Sequence, residues 1–492
     1  MMSKTPKMTD DIIIVGGGLA GLTATLEILN HHSSNKVILF EKQKNFGGNS
    51  AKASSGINAC NTIFQKNKGI NDNIDIFKMD TLKAGDNTND HTLVEYLVRN
   101  SKDALEFLID NNVKIDDVNL CGGHTVPRTH WAHLKEGKAI PIGFAIIKAI
   151  QDKIYEIKEK RPNDIEIHFD SEVIGITTWN EYVTGVRYRD PADKNTILEV
   201  NGKAVILTTG GFSADKSEDD SLLKEYGKHP LLSYLPTTNG DFATGSGVKI
   251  ARAMGAQLVG MENIQIHPTS FVDPSDRDAG TKFLAAEALR GKGAILLNDN
   301  GERFANELGR RDYLSEKIFK NCVSKKNERI AFMIINEEGI EGFGQQAFNF
   351  YWKIKKFFKK VENVKELANF IGCNSEILEK TFNSYNKNAD EKKDEFGKTV
   401  FPTRFNLSES LYVAMVTPAI HYTMGGLKID TEGKVYSDVT KDAIRGLYAA
   451  GEVTGGVHGN NRLAGNSLLE CVVFGRAAAF SALTLNYGHS EL

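Results

Sequence analysis

The chain has 492 residues, 41% hydrophobic and 25% charged, a composition that excludes disorder as its dominant state. Sixty Lys and Arg against 63 Asp and Glu leave a formal charge of −3, which gives no electrostatic case for nucleic acid or an anionic membrane as principal partner. The five cysteines are widely spaced with no CxxC, so a zinc ribbon, a CxxCH haem site and a ferredoxin-type cluster lack support, and the pattern suits a reducing compartment.

The length allows about three domains. The opening MMSKTPKMTDD passes into a strand-like run, leaving no room for a signal or transit peptide. Residues 11–15 (DIIIV) predict a short buried strand. Gly16-Gly17-Gly18 follows, then Leu19, Leu22, Leu26 and Leu29 at helical spacing, then VILFE ending at Glu41. Strand, glycine turn, helix and strand open a βαβ unit. Gly16-x-Gly18-x-x-Gly21 is a dinucleotide fingerprint: glycine permits the tight turn and the close approach of backbone to a pyrophosphate, which then faces a helix N-terminus. Glu41 stands twenty residues past Gly21, where a carboxylate meets ribose hydroxyls.

A second small-residue loop follows at Gly47-Gly48-Asn49-Ser50 and Ser54-Ser55-Gly56-Ile57-Asn58, which favours a bulky flavin over a nicotinamide. In TVPRTHWAH, His130 and His133 are three apart and His124 is near, but no carboxylate or Cys completes a metal set. KAVILTTGGFS, residues 203–213, is a second strand ending in glycine. Gly245-Ser246-Gly247 only loosely resembles a nucleophile elbow and no strand leads into it, so a hydrolase triad is set aside.

From about 260 to 415 the texture turns charged and helical, as in a domain inserted into the first. Its KIKKFFKK run is read as a helix with a solvated lysine face and Phe357 and Phe358 packed inward. GLYAAGEVTGG, residues 446–456, is a third strand with glycine, carrying Glu452, and a helix is expected from about Ser467, its N-terminus aimed at the flavin. No run of about 18 apolar residues appears, so no membrane span is expected. His267, Glu287, Arg290, Arg311, His421 and Arg462 all lie in glycine-flanked loops near the two inferred junctions, and Arg suits bidentate capture of carboxylates.

Through GGGLAGL, FGGNSAKASSGINA, GGHTVPRTH, LPTTNGDFATGSG, QIHPTSFVDP, KFLAAEALRG, RDYLS, HYTMGG and LYAAGEVTGGVHGNNRLAGNSLLECVVFGR, the sequence resembles the soluble single-chain fumarate reductases. It is also similar to the flavoprotein domain of flavocytochrome c fumarate reductases and, more distantly, to succinate dehydrogenase flavoprotein subunits. The resemblance runs from about residue 10 to 485. It implies an α/β fold: a Rossmann-like FAD-binding domain, residues 1–259 and 416–492, with an inserted α+β capping domain, 260–415. It implies reduction of fumarate to succinate, by hydride from flavin N5 and a proton from Arg311. Glu287 and Arg290 would resupply that proton, since an arginine is otherwise a poor acid. Arg310 is the neighbour that the Arg-Asp motif disfavours for this part. His267, His421 and Arg462 would hold the substrate carboxylates.

FAD contacts are implied at Gly16, Gly18, Leu19, Ala20, Gly21, Glu41, Lys42, Gly48, Asn49, Ser50, Ser54, Ser55, Gly56, Asn58, Gly211, Asp241, Glu452, Ser467 and Leu468. Asn49 replaces the histidine that carries covalent FAD in succinate dehydrogenases, so non-covalent FAD is expected. Ala286 stands where flavocytochromes tend to have Thr, which removes a hydroxyl contact to substrate. With no haem or flavin-carrier segment, a diffusible donor, reduced flavin or NAD(P)H-linked, is expected. Another unsaturated acid as substrate and a non-catalytic FAD carrier are the competing readings. The cytoplasm is expected ahead of the mitochondrion or the endoplasmic reticulum, whose retention tail the terminal HSEL only loosely echoes.

Overall fold

The computed structural model describes residues 9–31, 34–132, 141–323 and 328–487. His133 and the HSEL tail lie outside the described residues. The fold is α/β, built on a six-stranded sheet in the order Lys434–Tyr436, Ala443–Ala449, Ala204–Leu207, Ile12–Val15, Val37–Phe40, Ile165–His168. All neighbours are parallel except the antiparallel edge at Lys434–Tyr436. The central strands read IIIV, VILF and AVIL and are buried along their whole length, as expected of parallel strands covered on both faces. Each such side chain contributes about 1.5–3 kcal/mol of burial.

The helix Leu19–Asn30 begins at the glycine turn and is buried almost all round, packed on Asn466–Thr484 and Ile142–Lys160. Gly21 is fixed by sterics: a Cβ there would lie 1.9 Å from Gly16 O and 2.7 Å from Thr208 Oγ1. Gly16 itself has φ of 113° and would put a Cβ 2.5 Å from Thr208 O. The strand–turn–helix can therefore sit against the neighbouring strand only with glycine at both places. Asn466–Thr484 is long and apolar enough to cross a membrane by length and composition, contrary to the expectation that no such run exists. It is 72% buried inside the protein, so it is a core helix whose apolar surface is already covered.

The capping region is a five-stranded antiparallel assembly, with Ile264–Phe271, Leu411–Thr423, Ala331–Asn336 and Ile295–Leu297 in order and Lys359–Val361 pairing with Leu411–Thr423. Two hydrophobic clusters of its own lie on either side of this sheet. The strand Leu411–Thr423 runs unbroken across residue 415, so the two regions share it. KIKKFFKK is not a helix. A π-helical turn, Phe350–Ile354, ends at Lys356, whose φ of 56° stops helical winding, and the chain enters the strand at Lys359. Phe357 and Phe358 are buried as expected, with the lysines exposed.

Candidate active site

A cleft partly open to solvent runs from the glycine turn to the capping sheet. At one end Gly16, Gly18, Leu19, Ala20, Glu41 and Lys42 line it, followed by Gly48, Asn49, Ser50, Ser54, Ser55 and Gly56. Glu452, Ser467 and Leu468 line it further along. The rest of the expected cofactor set stands behind or outside. Gly21 is in the helix packing described above. Asn58 is buried and braces the loop before Asn466–Thr484, donating to Ala464 O and Asn466 Oδ1 at 2.7 Å each. Gly211 is where a Cβ would collide with Thr423 Oγ1 and Glu452 Oε1. Asp241 is exposed.

The residues present fit an FAD. Two helices point uncapped N-termini into the cleft, since Gly18 and Gly465 are the N-caps and neither offers a side chain. Leu19 N donates to Ser50 Oγ at 3.3 Å and Asn466 N to Leu463 O at 3.2 Å, which leaves the amides that follow them in each first turn to face a pyrophosphate or the pyrimidine edge of a flavin. Glu41 is tied to the turn itself, accepting from Gly17 N at 2.8 Å and Gln43 N at 2.7 Å.

Glu452 accepts from Thr423 N at 3.0 Å, and burial pushes its carboxyl up to about 7. A carboxyl raised above its ordinary value stabilises the fold below about pH 4.5 and loses that contribution as pH rises through 7. The apoprotein's melting temperature should therefore fall between pH 5 and 8, a loss of up to about 3 kcal/mol. Glu452→Gln should flatten the profile in thermal melts.

At the other end, five of the six expected reacting and substrate-holding residues line the cleft: His267, Glu287, Arg311, His421 and Arg462. His267 and His421 come from antiparallel strands, with ring centroids 5.3 Å apart. His267 Nδ1 lies 2.9 Å from Thr269 O and 3.2 Å from Thr269 N, and its Nε2 is buried without a partner. His421 Nδ1 lies 2.7 Å from Thr238 Oγ1. Burial, with the nearby Arg311 cation adding to it, holds both imidazoles well below their ordinary pKa, so both are neutral hydrogen-bonding groups.

Arg311 opens the helix Arg311–Asn321 and donates from Nε and Nη2 to Glu287 Oε2 at 3.1 and 3.0 Å. Burial alone would raise the Glu287 carboxyl, but the Arg311 and Arg290 cations bring it down to about 2, so it is ionised. Arg310 turns away to Asp86, at 2.7 Å. Arg290 is buried behind Glu287 and does not line the cleft. Arg462 is also buried, its guanidinium 4.5 Å from the Tyr422 ring, with burial and the Arg311 charge drawing its pKa to about 10. Two guanidinium groups, Arg311 and Arg462, line this end with Arg290 behind them, against the Glu287 carboxylate, which suits an anionic ligand.

Two contributors lie outside the expected set. Gln265 Oε1 accepts from Arg311 Nη1 at 2.9 Å and from Arg462 Nη2 at 3.4 Å, tying the two arginines together. Its signal was the strand period: it stands two residues before His267 and shares its face. The Gly122 backbone donates to Glu287, and a Cβ at Gly122 would lie 2.3 Å from Glu287 Oε1. His124 and His130 serve structure: His124 Nε2 lies 2.8 Å from Ala464 O and His130 Nε2 lies 2.8 Å from Thr62 Oγ1. Among the described residues no three His, Cys, Asp or Glu side chains group as a metal set.

A model of the FAD binding domain family matches residues 11–468. The fumarate reductase of Schizosaccharomyces pombe is 39% identical over 477 residues, 96% of this chain and 88% of the relative. Fumarate reductase 1 of Saccharomyces cerevisiae is 38% identical over 480 residues, 96% of this chain and 98% of the relative. Among solved structures, the open conformation of a flavocytochrome c3 fumarate reductase superposes with a TM-score of 0.78 at 30% identity, covering 97% of this chain and 78% of that one.

Proposed function

We infer, for a chain that belongs to the FAD-binding domain family and is an FAD-dependent fumarate reductase within it, that it reduces fumarate to succinate with Arg311 as proton donor. The observation that carries this reading is the meeting of His267, His421 and Arg462 with the Arg311–Glu287 pair at one end of the cofactor cleft. Bound reduced FAD supplies a hydride from N5 to one alkene carbon.

The chain's own residues do the rest. Arg462 and the two neutral histidines hold the carboxylates by hydrogen bonds. Drawing charge onto one carboxylate makes the alkene electron-poor and stabilises the charge that develops as hydride arrives. Arg311, held by Glu287 and Gln265, delivers a proton to the other alkene carbon. Glu287, ionised at rest, accepts the replacement proton and passes it to Arg311, with Arg290 behind it as the supply. His267, Arg290 and Arg462 are buried, and the low dielectric around them strengthens these contacts.

The FAD is held without a covalent bond. Asn49 has no imidazole to form one, and its Oδ1 already accepts from Gly240 N at 3.0 Å. Acid precipitation should release all yellow chromophore into the supernatant; colour kept in the pellet would mean a covalent link elsewhere. Electrons come from a diffusible donor, reduced flavin or NAD(P)H-linked.

The test is anaerobic. The enzyme's flavin is reduced, fumarate is added, and the visible absorbance of oxidised flavin is followed. Rapid reoxidation with stoichiometric succinate is expected. A flavin that fumarate leaves reduced, but another unsaturated acid reoxidises, would overturn the substrate assignment.

A further inference from the structure

The capping region holds a second buried charge cluster away from the cleft. Arg303, Glu307, Asp394 and Lys398 have side chains no more than 5% exposed. Arg303 Nε and Nη2 donate to Glu307 Oε1 and Oε2 at 2.8 and 3.0 Å, and Lys398 Nζ donates to Glu307 Oε2 at 2.7 Å. Arg303 Nη1 donates to Asp394 Oδ2 at 2.9 Å. The four formal charges cancel. A buried ion cluster of this kind is weak evidence for stability, because desolvation offsets most of the attraction.

One bond leads out of it toward the cleft: Arg290 Nη1 donates to the main-chain oxygen of Glu307 at 2.5 Å. Arg290 Nε and Nη2 have no partner and are buried. Arg290 thus has two carboxylates within electrostatic reach, Glu287 and Glu307. Glu307 Oε1 accepts from Arg303, and Oε2 from Arg303 and Lys398, so two cations offset its charge and the hydrogen bond it gives Arg290 comes from its main-chain oxygen. The remaining donors and the charge of Arg290 stay available to Glu287.

We propose that Glu307, its charge offset by Arg303 and Lys398, is a positioning residue that anchors Arg290 through its main-chain oxygen and leaves the charge of Arg290 to Glu287, which makes Lys398 a determinant of proton supply in a region remote from substrate. The proposal rests on the proton-relay reading above. Without Lys398, Glu307 would compete with Glu287 for Arg290.

The test uses full-length, FAD-loaded enzyme with reduced methyl viologen as donor. In Lys398→Met, kcat should fall about 10- to 100-fold while KM for fumarate stays within about twofold, because proton delivery and not binding is impaired. The solvent deuterium isotope effect should rise, and Lys398→Arg should restore most of the rate. In an Arg290→Ala background the same substitution should cost no more than about twofold, since two residues acting through one path are not additive. An unchanged isotope effect, or the full loss persisting without Arg290, overturns the proposal. If Lys398→Met fails to hold FAD, Lys398→Gln is read instead, because it keeps a donor for Glu307 Oε2 while removing the charge. A smaller fall in kcat with the same isotope rise is expected there, and its absence overturns the proposal. Wild-type enzyme that does not turn over fumarate would overturn the underlying reaction instead, before any variant is compared.

Discussion

Arg311→Ala is expected to lower fumarate turnover by about 10⁴-fold, the upper end of what a positioned acid contributes, while the protein keeps its FAD. Three donors of Arg311 are engaged, two on Glu287 and one on Gln265, so the guanidinium is fixed before substrate arrives. Alanine removes both the proposed proton source and one of the cations that hold Glu287 ionised. Arg290 remains, and so does the Gly122 amide, so the Glu287 carboxylate is not left bare. The glycine turn and the N-terminus of Leu19–Asn30 lie at the other end of the cleft, which is why cofactor binding should survive. Arg311→Lys should recover only a small part, since an ammonium cannot reproduce the forked contact to Glu287 and Gln265 together. Stopped-flow reoxidation with matched flavin content reads the effect. A variant that keeps a tenth or more of the rate would remove Arg311 from the role.

The cofactor end was legible because its determinants are local. Strand, glycine turn, helix and acidic residue follow one another within thirty residues, and their order alone fixes where backbone N–H groups point. Asn58 and Gly211 sit in equally suggestive motifs, yet they act one layer back, bracing Ala464 and making room for Glu452. Residue type in a motif gives proximity to a ligand but not which side of the loop faces it. At the opposite end, His267 and His421 stood out with the arginines near the two inferred junctions, but only the resemblance gave them a role. Their juxtaposition depends on the pairing of strands about 150 residues apart, with irregular register beside Gln265 and His267. Gln265 offered only the strand period that puts it on the face of His267, and Gly122 gains its role wholly from the tertiary arrangement. The junction near residue 415 was misleading for a related reason. LYVAMVTPAIHYT is buried along nearly its full length, so no change of pattern marks where one core ends and the next begins. KIKKFFKK misled through periodicity: a left-handed residue at Lys356 lets two adjacent phenylalanines both turn inward without a helix.

Arg462→Met should be the second large loss, and its signature should differ from that of Arg311→Ala. Arg462 is buried with little to occupy it. Its Nη1 and Nη2 contacts, to Leu463 O and Gln265 Oε1, are both 3.4 Å long, and Nε has no partner. The Tyr422 ring supports its face, and the buried Glu470 and Glu452 attract it electrostatically. A desolvated cation with unspent donors beside two neutral histidines is arranged to receive a carboxylate. Removing one side of a buried charge pair costs about 2–5 kcal/mol. That corresponds to a fall in kcat/KM of about 30- to 4000-fold. The loss should appear in KM as well as kcat, because the contact exists in the ground state and strengthens as charge develops. A monocarboxylate alkene separates this from general damage. If Arg462 grips one of the two carboxylates, the native preference for fumarate over acrylate should collapse in Arg462→Met, since the lost partner is then absent from either the protein or the substrate. A preference that survives the substitution would place Arg462 outside the substrate contacts and leave the two histidines as the carboxylate site.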